Sequence, residues 1–176
     1  MCKAQRKSLE AIRISIPDRV SQDLSFWYQC FRDWDASGVR MRNHSFITHQ
    51  TPLWKTDGGS FWGMGAVDVT RKEFFLTKLS SEEIALLQQL GVTNSPVIEA
   101  WCFLLAVRSW IHLYANSAVC VEVDAASLAL AYSKGYSKDP YIQSAIREIR
   151  YLAISSNTFI QVMPVPRSCN PIPDAL

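Results

Sequence analysis

The sequence predicts an α/β protein built on a mixed sheet covered by helices. Two observations carry that expectation. Between Leu53 and Lys78 three short extended segments follow one another with tight joins, the pattern of an antiparallel meander. From Ser95 onward helical and extended segments alternate, as they do where parallel strands are joined through helices.

The elements follow in order. Pro17-Asp18 is a helix start signal, and Val20, Leu24, Trp27, Phe31 and Trp34 then recur at spacings of 4, 3, 4 and 3, an amphipathic stripe. Asp35 to Gly38 ends that helix, and residues 36–50 read as a polar linker. The expected division is therefore a helical extension over residues 1–50 and a domain over residues 51–176. Leu53 to Asp57 is the first strand, broken by Gly58-Gly59-Ser60. Phe61 to Val69 and Arg71 to Lys78 are the next two. Ser80-Ser81-Glu82-Glu83 has capping-box form and opens a helix through Leu90, stopped by Gly91. Ser95-Pro96 starts a long helix to about Tyr114, apolar on nearly all sides and hence buried. Val119 to Asp124 is a β-branched strand, and Ala125 to Lys134 a helix closed by Gly135. Asp139-Pro140 caps a further helix with Ile142, Ala145, Ile146, Ile149 and Leu152 on one face, and Phe159 to Val165 is the final strand.

Composition removes several classes. Among 176 residues, 48% are hydrophobic and 18 Lys+Arg oppose 16 Asp+Glu, so disorder driven by charge is excluded. The most apolar run, Val97 to Val107, carries Glu99 and falls short of the roughly 18 residues a membrane span needs. No secretory pattern opens the chain, and five widely spaced Cys without a Cys-x-x-Cys pair suit a reducing, intracellular setting, cytoplasmic or nuclear. Cys102 and Cys120 lie in apolar stretches and read as buried small hydrophobes. His44 and His49 with Cys30 could form a metal group, but a polar loop explains the histidines better. A net charge of +2 argues against a general polyanion binder without excluding a local basic surface.

Four carboxylates stand in awkward places. Asp57 closes the first strand, Glu99 lies in the first turn of the most hydrophobic helix, Asp124 ends the β-branched strand that starts at Val119, and Asp174 follows a Pro-rich segment. Each has a plain alternative: a turn with Gly58, the helix dipole, a cap for the next helix, and solvated surface, respectively. Together they suggest another reading. Carboxyl ends of parallel strands gather ligands. Converging carboxylates repel one another, and hard divalent cations such as Mg²⁺ or Mn²⁺ relieve that repulsion. Two such ions roughly 3.5–4 Å apart can activate water and stabilise a leaving oxygen in phosphodiester cleavage.

Trp54-Lys55-Thr56-Asp57-Gly58-Gly59, followed by Trp62-Gly63-Met64-Gly65-Ala66-Val67, resembles the opening of ribonuclease H domains. Ile98-Glu99-Ala100 resembles that family's second acidic position and Val121-Glu122-Val123-Asp124 its third. The ending from Val165-Pro166, through Asn170, to Asp174-Ala175-Leu176 is similar to the family's last motif. The subgroup it most resembles is the ribonuclease H domain of retroelement reverse transcriptases, in particular tyrosine-recombinase retrotransposons of the DIRS type. Ile14 to Asp35 resembles the connection segment that precedes the domain in those proteins. Ala125 after the third acid, Pro173 before the fourth, and a long Leu79 to Asn94 linker depart from the family pattern.

The resemblance implies a ribonuclease H-like five-stranded sheet, three strands antiparallel and then two parallel. It implies hydrolysis of the RNA strand of RNA–DNA hybrids, with two Mg²⁺ (or Mn²⁺) held by Asp57, Glu99, Asp124 and Asp174. Gly58 and Gly59 would let the substrate backbone approach, and Lys134, Lys138 and Arg167 would contact phosphates, although a simple turn and solvated surface explain these residues too. Arg147 and Arg150, flanking Glu148, read as local surface pairs. The expected partner is a hybrid or other nucleic acid, with no membrane and with a polymerase domain in a parent polyprotein. The competing reading is an inactive retroelement remnant that binds nucleic acid or another partner. A third keeps the fold and acts on duplex DNA.

Overall fold

The structure, a computed structural model, describes residues 16–32, 51–59, 63–92 and 95–170. The chain divides into two compact units, Met1–Asp33 and Trp34–Leu176. In the first, helix α1 (Asp18–Arg32) carries Val20, Leu24, Trp27 and Phe31, all exposed, with the Trp27 and Phe31 rings 6.0 Å apart. Trp34 to Gly38, His44 and His49 lie outside the described residues.

The second unit is a five-stranded sheet in the order β3-β2-β1-β4-β5. Strands β1 (Leu53–Gly59), β2 (Gly63–Asp68) and β3 (Glu73–Thr77) form the antiparallel meander. Strands β4 (Ala118–Val123) and β5 (Phe159–Pro164) run parallel to β1 and to each other. The fold expectation from the sequence is met. Some boundaries shift: residues 69–72 form the turn, so β3 starts at Glu73, and β1 continues through Gly58 and Gly59, which pair with Met64 and Gly63. At Gly58 a neighbour passes too close for a side chain, as the site below shows.

The helices explain the core. Helix α2 (Ser81–Gln89) opens with a complete capping box, Ser80 and Glu83 bonding each other's backbone N–H. Helix α3 (Ser95–Trp110) continues as a 3₁₀ turn through Tyr114 and packs on β1, β2 and helix α5. By length and composition Pro96–Tyr114 could cross a bilayer, but 61% of that stretch is buried in this fold, as in the core helix of a globular unit. Helix α4 (Ala126–Lys134) ends on Gly135 at φ 69, the left-handed cap that glycine adopts without steric cost. Helix α5 (Pro140–Ser155) begins at Asp139, whose carboxylate accepts from the Tyr141 and Ile142 N–H groups.

Alternation along β1 turns Trp54, Thr56 and Gly58 inward. With Ala66, Val119, Val121, Val123, Ile98, Phe103, Ile146 and Ile149 they form one continuous core between sheet and helices. At one end of β1 that core contains a charge. Asp68, fully buried, accepts from the Trp54 indole, the Tyr114 hydroxyl, and the Thr70 and Arg71 backbone N–H groups. A buried carboxylate is tolerated when its lone pairs are filled in this way.

Candidate active site

The opposite end of β1 carries the acids. Strands β1 and β4 are paired in parallel with Lys55 opposite Glu122. Two residues further along each strand's direction stand Asp57, within β1, and Asp124, so both acids lie toward the carboxyl ends of adjacent parallel strands. Asp124 lies just past β4 and is half-buried. The capping alternative for it does not hold, because the N-cap of α4 is Ala125, with no side-chain hydrogen bond. Its Oδ1 is buried and meets no hydrogen-bond partner among the described residues.

Glu99 reaches this place through Gly58. A Cβ on Gly58 would come within 2.9 Å of the Ile98 carbonyl carbon and oxygen and of the Glu99 nitrogen. The α3 backbone therefore lies directly on β1, which explains the glycine and sets the Glu99 backbone against the residue that follows Asp57. Glu99 is the fifth residue of α3 and lies beyond its first turn, which holds no acid. The helix-dipole explanation is weakened accordingly.

Cys102, one turn beyond Glu99, is buried behind these acids. Its thiol donates to the Gly65 carbonyl at 3.2 Å and shares a backbone hydrogen bond with Asp57. Burial pushes the thiol far above its ordinary pKa, and the charges of Asp57 and Glu99 push it the same way. Both carboxylates thus act on one sulfur, which stays protonated and is no nucleophile.

Two strands are tied behind the acids. Lys55 Nζ and Glu122 Oε2 pair at 2.6 Å, and both side chains are largely buried. The sequence held a signal for this: Lys-x-Asp on one strand and Glu-x-Asp on the other fix opposite charges two residues before each acid. Cys102 and the Lys55–Glu122 pair were missing from the sequence-based site.

The remaining expected residues are spread around it. Lys134 ends α4, Lys138 precedes the α5 cap, and both are exposed. Arg167 is exposed in the short 3₁₀ turn after β5. Gly59 is half-buried at the tip of β1. Asp174 lies outside the described residues. The expectation of a local pair with Glu148 is corrected for Arg150. Glu148 binds Arg108 of α3, whereas Arg150 donates to the Tyr132 carbonyl at 2.6 Å and lies 5.2 Å over the Tyr132 ring. Both contacts run between helices, from α5 to α3 and to α4, and not along α5 itself.

Among the described residues no three His, Cys, Asp or Glu side chains come together as a metal-holding group. The donor set itself suits hard cations: carboxylate oxygens, one of them buried and unmatched on Asp124.

No protein-family model matches the sequence, and no curated protein matches it. Solved structures do match in fold. One is RNase H1 from the halophilic archaeon Halobacterium salinarum, at TM-score 0.53 and 14% identity over 72% of this chain and 93% of that one. A second is an RNase H1 isolated from compost by a metagenomic approach, at TM-score 0.52 and 16% identity over 71% and 91%. A third is the N-terminal RNase H domain of a Mycobacterium tuberculosis protein, at TM-score 0.52 and 18% identity over 72% and 95%. At these identities the likeness establishes a ribonuclease H-like fold.

Proposed function

We propose that the chain is a metal-dependent endonuclease that hydrolyses the RNA strand of RNA–DNA hybrids and descends from a retroelement reverse transcriptase. One observation carries the reading: Asp57 on β1 and Asp124 just past β4 stand two residues beyond the paired Lys55 and Glu122 of adjacent parallel strands, and α3 is seated on Gly58 at the backbone of Glu99. Asp57, Glu99 and Asp124, with Asp174, would hold two Mg²⁺ or Mn²⁺ ions. Such ions, when bound, activate water and stabilise the leaving oxygen of a phosphodiester.

The chain's own residues supply the rest. The glycine-rich end of β1 admits a nucleic-acid backbone, and Lys134, Lys138 and Arg167 offer phosphate contacts that do not read sequence. The hybrid would be recognised by shape and 2′-hydroxyls. Residues 1–50 are read as part of a connection segment, with a polymerase domain in the parent polyprotein. Work on such a substrate belongs inside the cell, where Cys30, Cys102, Cys120 and Cys169, all free thiols, stay reduced.

The test is cleavage of a labelled hybrid with Mg²⁺ by the wild-type chain, Asp57→Asn and Asp124→Asn. Equal behaviour of all three removes the catalytic reading. A second reading, a remnant that binds nucleic acid without cutting it, draws on the open arrangement of the described acids. Hybrid binding that ignores Mg²⁺, with no cleavage, would select it.

A further inference from the structure

The segment leaving β5 bridges the two strands that end in acids. Val165 donates its N–H to the Val123 carbonyl at 2.9 Å, immediately before Asp124. The chain then closes a 3₁₀ turn, with Cys169 and Asn170 donating to the Pro166 and Arg167 carbonyls. Asn170 comes to rest against β1. Its side chain is 1% exposed, and its Nδ2 donates to the Thr56 carbonyl at 3.1 Å, immediately before Asp57. Lys55 adds a longer contact to the same segment, Nζ to the Cys169 carbonyl at 3.5 Å, while pairing with Glu122 of β4.

We infer that Asn170 is a positioning residue for the acidic site. This deepens the nuclease reading and rests on it. The chemistry at the contact is selective. A backbone carbonyl accepts only from a donor, so the amide nitrogen must face Thr56, and neither Leu nor Asp of similar size can replace it. The Asn170 Oδ1 is buried without a hydrogen-bond partner among the described residues, a cost of the kind tolerated where a residue is needed in place. The two backbone anchors, at Val123 and Thr56, each stand one residue before an acid. The segment therefore sets the spacing between Asp57 and Asp124 from behind, as supporting residues orient metal ligands elsewhere.

The experiment uses the full chain and two readouts. Mn²⁺ binding is followed by electron paramagnetic resonance and by the metal-induced rise in Tm, and hybrid cleavage is followed against Mg²⁺ concentration. Asn170→Leu raises the half-saturating Mn²⁺ and Mg²⁺ concentrations about tenfold, the scale for supporting residues of metal ligands, and leaves KM for the hybrid unchanged. Tyr114→Phe, at the far end of β1, is the control for lost stability: its metal dependence stays that of the wild type. Should Asn170→Leu fail to fold, Lys55→Gln loosens the same clasp from the strand side and shifts metal dependence in the same direction. Wild-type metal dependence in whichever variant folds overturns the inference, and so does an equal shift in Tyr114→Phe. A wild-type chain that binds Mn²⁺ but cuts no hybrid ends the nuclease reading, while the paramagnetic titration still decides the role of Asn170. A wild-type chain that binds no metal overturns both.

Discussion

The Trp54 indole nitrogen donates to Asp68 Oδ2 at 3.2 Å, joining the most buried aromatic of β1 to the last residue of β2. The same carboxylate takes the Tyr114 hydroxyl and turns the chain into β3 through the Thr70 and Arg71 N–H groups. Asp68→Ala leaves the buried Trp54 indole N–H unmatched and takes the acceptor from the half-buried Tyr114 hydroxyl and from the exposed Thr70–Arg71 turn. It should cost about 1–3 kcal/mol, the scale for leaving a buried donor unsatisfied. Asp68→Asn, which keeps the volume and part of the bonding, should cost less. Urea unfolding of both variants measures this, and a loss below about 1 kcal/mol for the alanine would show that the network is incidental.

Gly58 couples packing to the site. Adding one methyl group there drives it to 2.9 Å from backbone atoms of Ile98 and Glu99, which cannot rotate away. Gly58→Ala should cost about 1–3 kcal/mol as overpacking and lower hybrid cleavage more than that stability loss accounts for, because Glu99 moves with α3. Gly91→Ala is the contrast. Open space surrounds that residue, and only its φ of 69° opposes a side chain, so it should cost about 1–2 kcal/mol and spare cleavage. Parallel losses of activity in both variants would reduce Gly58 to a stability role.

Much of this architecture was legible beforehand. Hydrophobic periodicity and turn chemistry placed each described strand and α-helix of the larger unit, since Ser80, Pro96, Gly135 and Asp139 mark helix ends by local chemistry alone. The acids at positions 57, 99 and 124 were legible as polar residues set against apolar runs. What escaped was long-range. Gly58 looks like a strand breaker until α3 is laid on it. Arg150 looks like a partner for Glu148 until α4 presents the Tyr132 carbonyl. Asn170 touches Thr56 across 114 positions of sequence, a separation at which no local pattern speaks.

The acids themselves should trade stability for function. Asp124 keeps a buried oxygen unmatched, and Asp57 and Glu99 both press their charge on Cys102. In the metal-free protein, Asp124→Asn should therefore raise stability, by about 0.5–2 kcal/mol. The same change should lower hybrid cleavage by on the order of 10³-fold or more and abolish the Tm rise on adding Mn²⁺. A variant that is less stable without metal, or that keeps its metal-induced rise, would contradict the assignment of Asp124.

Alkaline pH should unfold the protein through its buried phenols. Burial, then the hydrogen bond to Asp68 and its charge, push Tyr114 far above the ordinary tyrosine value, and burial pushes Tyr132 up to about 12 against the lowering effect of Arg150. A phenol whose folded pKa exceeds its unfolded one, about 10, binds its proton more tightly in the folded state. Its contribution is complete below that unfolded value and is lost as pH rises through the folded one. Stability should hold flat from neutral pH to about pH 9 as far as these two groups are concerned, then fall steadily. Tyr114→Phe removes one ionisable group, so its stability curve should fall less steeply above pH 10, although it begins lower for want of the bond to Asp68. Urea midpoints measured at intervals across that range supply the slope, and identical slopes for the two proteins would separate Tyr114 from the alkaline transition.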